Sequence, residues 1–194
     1  RYASRGLGDV YKRQVLTIAE RMKKLGYLTG FSGKWHLGPS NSSNPRHDPR
    51  ARGFDYYWVG SMESGSTNLS LNGKSVEHQS RKGLPKGIAN RVILQGKYGE
   101  SFIEFSQAGD KPFFLYLPLY APHIPLIKKS DPYYKKFPKL DYPQYDDWRD
   151  DRRRMGLALI KSIDDAVGGV MAKLREYGLE AVSYTHLTLP TIVR

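Results

Sequence analysis

The sequence predicts an α/β fold: part of a mainly parallel sheet flanked by helices. Three observations predict it. Helix-period segments alternate with apolar runs, in the order helix, strand, loops, helix, strand, loops, helix. The run "PFFLYLPL" is apolar at successive positions, as in a parallel strand with both faces covered. Stretches such as "PSNSSNPRHDPRARG" carry Pro, Ser, Asn and charge without periodicity, and read as loops.

The elements follow in order. In "VLTIAERMKKLGYLTGFSGKWHLG", Thr17 and Glu20 have capping-box spacing, so each side chain can satisfy an orphan backbone N–H. Ile18, Met22 and Leu25 recur at helical spacing, and Gly26 is placed to end the helix. "YLTGFSG" is then a short strand ending at Gly33. "GFDYYWVG" reads as an aromatic turn or short strand, and Asn72-Gly73 suggests a tight hairpin within "LSLNGKSVEH". "YGESFIEFSQAG" predicts a second helix with Tyr98, Phe102 and Phe105 on one face. "DKPFFLYLPL" is the second strand. Residues 128–154 are dense in Tyr, Pro and charge and predict an ordered surface loop. The last helix starts near Arg154, buries Leu159, Ile163, Val167, Val170 and Leu174, and stops at Gly178.

Composition narrows the function. The 194 residues hold no cysteine, which removes disulfides, thiolate metal sites and a cysteine nucleophile. No stretch approaches the roughly 20 apolar residues that span a bilayer. The net charge of +12 favours an anionic partner. Both ends read as foreign, however. "RGLGDVYKRQ" and "VSYTHLTLPT" look like translated adapter sequence, so residues 1–14 and 183–194 are expected to be non-native tails around a segment at 15–182. That segment keeps a charge of +8, because the tails carry +3 and +1. Its basic residues are interleaved with acids, which argues against a nucleic-acid stripe.

Ligands of open α/β sheets bind beyond the carboxyl ends of strands. Lys34 and His36 lie just past one such end, and His123, between two prolines, lies past another. Two separate stretches thus deliver an ammonium and imidazoles to one rim. Trp35 between them reads as packing. The alternatives are a solvated turn for Lys34 and His36, and a packed strand end for His123.

These residues resemble the sulfatase family. "GYLTGFSGKWHLG" is similar to that family's second signature, through Gly26, Tyr27, Thr29, Gly33, Lys34, Trp35, His36, Leu37 and Gly38. The likeness continues through "RGFDYYWVG" and "KPFFLYLPLYAPHIP" to "IKSIDDAVGGVMAKLREYGL", covering nearly all of 15–182 in the expected order. The resemblance implies an incomplete sulfatase N-terminal domain and the hydrolysis of sulfate esters by a formylglycine nucleophile beside a divalent cation, usually calcium. It implies that Lys34 neutralises charge on the nucleophile or a sulfate oxygen. His36 would bond the nucleophile's hydroxyls and act as base, and His123 would contact a sulfate oxygen and protonate the leaving oxygen. It also implies an exported location and a sulfated substrate: a small aryl sulfate, a sulfated polysaccharide or a glycosaminoglycan fragment.

The formylglycine signature requires Cys or Ser followed by x-Pro-x-Arg, and no such string occurs here. The resemblance also implies that the family's paired metal-site aspartates lie upstream of this segment and its Asp-Asn metal pair downstream of the last helix. The chain is therefore expected to hold one side of a pocket, to lack nucleophile and metal ligands, and to be inactive alone. Two other readings stand beside this one: a phosphodiester or phosphonate ester hydrolase of the same superfamily, and a non-catalytic anion-binding protein.

Overall fold

The computed structural model describes residues 16–35, 49–59, 70–71, 74–75, 87–123, 126–140 and 146–185. Helix α1 spans Ile18–Lys24, and the expected capping box is formed in full at Thr17 and Glu20. Gly26, at φ +89°, turns the chain out of the helix. Strand β1 follows at Leu28–Gly33, and β2 at Tyr56–Val59. The short strands β3 (Ser70–Leu71) and β4 (Lys74–Ser75) pair antiparallel, as the hairpin reading requires. Helix α2 spans Arg91–Ser106, β5 spans Phe113–Tyr116, α3 spans Pro132–Lys135, and α4 spans Asp147–Glu176.

Strands β2, β1 and β5 form a parallel sheet in that order, with β1 central. The fold is α/β, as the sequence predicts. Burial of β1 is nearly complete, with Thr29, Phe31 and Ser32 fully shielded. Thr29 ties β1 to the approach to β2: its hydroxyl donates to the Gly53 carbonyl (2.6 Å) and accepts from the Asp55 amide (3.1 Å). The Asp55 carboxylate accepts from Thr29 N (3.2 Å) and Lys23 Nζ (2.5 Å). Burial pushes this carboxyl up, but the Lys23 and Thr29 hydrogen bonds outweigh it and hold it below its ordinary value.

Three boundaries differ from the sequence reading. Helix α2 begins at Arg91 rather than near Tyr98, because Asn90 caps it through Val92 N (3.1 Å) and Ile93 N (3.2 Å). Helix α4 begins at Asp147 rather than near Arg154. Its charged first turns are held by Asp150, which is 2% exposed and accepts from Arg153 Nη2 (2.9 Å) and Leu140 N (3.3 Å). Arg154 donates to the Phe137 carbonyl (2.8 Å) and lies over the Tyr134 ring. Of the 128–154 segment expected to be a surface loop, Pro132–Lys135 and the residues from Asp147 onward are helical, and these contacts join α4 to residues 134–140. Finally, β5 is half-buried at Phe113, Phe114 and Leu115 and exposed at Tyr116 rather than covered on both faces, since it lies at one side of the described sheet.

The core between α2 and α4 depends on close approach. A Cβ on Gly96 would press on Ala166, and one on Gly99 would touch Val170. Asn90 Nδ2 donates across the helices to Ser162 Oγ (2.9 Å), which in turn donates to the Ala158 carbonyl (2.8 Å). The buried stripe of α4 runs through Ala158, Leu159, Ser162, Ala166, Val170 and Leu174. It is centred on small residues, so Ile163 and Val167 sit at its flank and are only partly buried. Gly178 ends the helix at φ +68°, as expected.

Candidate active site

Lys34 is the first residue beyond β1. Its amide donates to the Pro118 carbonyl (2.9 Å), two residues past β5. The two strand exits therefore meet. They can do so because Gly33 has no side chain: its φ is +149°, and a Cβ there would fall on the Pro118 carbonyl oxygen. The Lys34–Pro118 bond joins residues 84 positions apart into one rim.

The rim is organised around Tyr120, which is 6% exposed. The Lys34 ammonium lies 4.9 Å from the centre of its ring. The His123 imidazole meets the same ring at 5.1 Å between centroids and 68°, an edge-to-face contact. The His123 amide donates to the Tyr120 carbonyl (3.2 Å), closing the turn that contains the cis Ala121–Pro122 bond. Lys34 is half-buried and His123 exposed. An ammonium over an aromatic face and an imidazole at its side thus share one anchor.

Tyr120 is held from below. Its amide donates to Gln95 Oε1 (3.1 Å), and the Gln95 carbonyl accepts from Ser32 Oγ (2.7 Å). Gln95 is 1% exposed, so these bonds replace water for every group involved. One buried residue of α2 therefore links β1, two residues before Lys34, to the turn before His123.

Arg91, the first residue of α2, adds a cation near this rim. Burial lowers the tendency of its guanidinium to hold its proton, and electrostatic coupling to Tyr120 acts the other way. Its Nη1 is buried without a hydrogen-bond partner. A cation at the positive end of a helix is unfavourable unless an anion offsets it. Among the described residues neither Lys34 nor Arg91 forms a salt bridge to a carboxylate.

The sequence names Lys34 and His123 as candidates and does not single out Tyr120, Gln95 or Arg91, which the structure places beside them. Gln95 and Arg91 carry no local signal, because their roles come from contacts 25 or more residues away. Trp35 packs on Phe31 (5.2 Å) and Phe54 (6.0 Å), the packing role expected of it. His36, His47 and His78 lie outside the described residues, as do residues 1–14 and 186–194 of the expected foreign tails. Among the described residues no three His, Asp or Glu side chains converge as a calcium site needs.

The profile of the Sulfatase family matches residues 7–182. Arylsulfatase G of Canis lupus familiaris is 31% identical over 145 residues, covering 58% of this chain and 26% of that protein. N-acetylgalactosamine-6-sulfatase of the same organism is 26% identical over 191 residues, covering 88% of this chain and 31% of that protein. The chain thus spans about a third or less of these relatives. Among solved structures, Ps i-CgsB in complex with k-i-k-neocarrahexaose superposes with a TM-score of 0.64 at 24% identity, over 86% of this chain and 38% of that one. This last likeness concerns the fold.

Proposed function

The chain belongs to the sulfatase family, and from that premise we propose that residues 15–182 form the lysine–histidine side of the active site of an exported sulfate ester hydrolase. The observation that carries this is the rim itself: the Lys34 ammonium and the His123 imidazole meet one buried ring, and Lys34 has no carboxylate to neutralise it among the described residues. A site built for a sulfate group needs fixed positive charge where negative charge develops.

Lys34 holds a sulfate oxygen. His123, exposed at the rim, contacts a second oxygen and hands a proton to the oxygen that leaves with the alcohol; an imidazole can bind and release a proton near neutral pH. His36, two residues after Lys34, serves as the base on the nucleophile's side. A formylglycine hydrate supplies the attacking oxygen in this family. The chain has neither a cysteine nor a Ser-x-Pro-x-Arg string, and the described residues offer no calcium site, so both groups are assigned to parts of the enzyme outside these 194 residues. The polypeptide alone is accordingly inactive. The substrate class is a sulfated glycan or aryl sulfate. The name of one similar protein, an N-acetylgalactosamine-6-sulfatase, supports the sugar.

The test is to sequence the source DNA across both ends. The reading predicts Cys-x-Pro-x-Arg upstream, Asp-Asn downstream, and loss of the adapter-like ends. The intact protein then hydrolyses sulfate esters faster than matched phosphate diesters. Genuine ends with no nucleophile motif would leave an anion-binding protein, and preference for phosphate esters would move the enzyme to the neighbouring activity.

A further inference from the structure

We propose that Tyr120, seated by Gln95, is the positioning residue of the anion site. It fixes the Lys34 ammonium and the His123 imidazole relative to one another, so that one sulfate group meets both. The inference rests on the reading of Lys34 and His123 as an anion pocket, and goes beyond it by naming what holds them. A lysine has four rotatable side-chain bonds and keeps them mobile unless something engages its head. The structure engages it with a ring face at 4.9 Å rather than with a carboxylate. A carboxylate would fix the ammonium equally well, but would cancel the charge that an anion must see. The ring orients the cation and leaves its charge in place. The same ring fixes the imidazole through an edge-to-face contact at 5.1 Å. Since both groups meet one ring, movement of that ring moves both.

The ring is itself fixed. Tyr120 is buried, and its amide is bound to the side chain of a residue that is 1% exposed. The backbone of that residue binds Ser32 on the strand that delivers Lys34. The path from β1 to Tyr120 is therefore a closed chain of buried hydrogen bonds. Tyr120→Phe keeps the ring that both groups meet, and Tyr120→Leu removes it.

The experiment is a titration of the full chain with inorganic sulfate, followed by NMR at the Lys34 side chain and the His123 imidazole. Resonances are assigned with Lys34→Met and His123→Asn. In the unsubstituted chain and in Tyr120→Phe, both groups respond with one common dissociation constant. In Tyr120→Leu, affinity falls about tenfold, the scale of one lost cation–π contact, and the two groups no longer share a constant. Gln95→Met conserves volume and removes only the acceptor for Tyr120 N, so it produces a smaller loss of the same kind even if Tyr120→Leu fails to fold. Wild-type affinity with a shared constant in Tyr120→Leu or Gln95→Met would overturn the positioning role alone. Absence of any response in the unsubstituted chain would overturn the anion pocket and this inference with it.

Discussion

The helix pair α2–α4 and the sheet rim are built from the same residue types with opposite results. Along α4, and once across to α2 at Glu104, cations are matched to anions. Lys173 pairs with Glu104 (2.7 Å) and Glu176 (2.8 Å), Lys161 with Asp164 (2.9 Å) and Asp165 (2.5 Å), and Arg153 with buried Asp150 (2.9 Å). These contacts raise the lysine pKa values and hold Asp165 and Asp150 below the ordinary carboxylate range. Polar atoms there are also satisfied, as in the Asn90–Ser162–Ala158 chain. At the rim, Lys34 rests on a ring and Arg91 keeps a buried nitrogen without a partner. A scaffold neutralises its charges internally, whereas a site for an anion leaves positive charge unspent. The contrast supports the proposed anion site without reference to any single motif.

The largest expected break is at the junction of the two regions. Gly33→Ala forces a Cβ onto the Pro118 carbonyl at a backbone angle that side chains avoid. It should cost on the order of 3 kcal/mol and separate the strand exits, read as a drop in urea midpoint together with loss of sulfate binding. Within the scaffold, Asn90→Ala removes both a helix cap and a buried cross-helix bond. A loss of about 2 kcal/mol is expected, with sulfate affinity retained in the folded fraction. Denaturant unfolding read beside a sulfate titration separates the two outcomes.

How much of this was legible follows the range of the interactions. The α1 cap and the ends of β1 and α4 at Gly33 and Gly178 are set by neighbours within a few residues, and the sequence shows them. The start of α4 is only partly local: Asp146 caps it by accepting from Arg149 N (2.8 Å). "DWRDDRRR" has no apolar periodicity, and it is helical because Asp150 and Arg154 bond to the backbone of residues 137–140. Tyr120 reads as one more aromatic in an apolar run; only the folded chain brings Lys34 over it. Gln95 looks like a polar interruption of a helix, and its value lies in reaching Tyr120 and Ser32 at once.

A smaller effect sharpens the contrast through pH. Asp55 titrates below its ordinary value when folded. Its contribution is complete above the unfolded-state value near pH 4 and is lost as pH falls through the lower folded-state value. Stability should therefore decline on acidification, and Asp55→Asn should remove part of that slope. Its contribution near neutrality is below about 1 kcal/mol, because the cost of burying the carboxylate offsets most of what its Lys23 and Thr29 bonds supply. Thermal melts between pH 2 and 6, roughly the window around a carboxylate titration, give the slope. Smallest of all is Arg175→Gln, which breaks an exposed pair with Glu180 (3.0 Å) and should shift stability by no more than about 0.5 kcal/mol.

The most direct measurement compares two lysines in one pair of assays. Lys34→Met and Lys173→Met each remove one ammonium, the first from the rim and the second from between the helices. Sulfate affinity and melting temperature are measured for both, in the full chain at low ionic strength. The account predicts a crossed result: Lys34→Met loses sulfate binding by at least about tenfold and melts like the unsubstituted chain, while Lys173→Met keeps the affinity and melts lower. Equal losses of affinity in the two variants, or none in Lys34→Met, would contradict the assignment of the rim as the anion site.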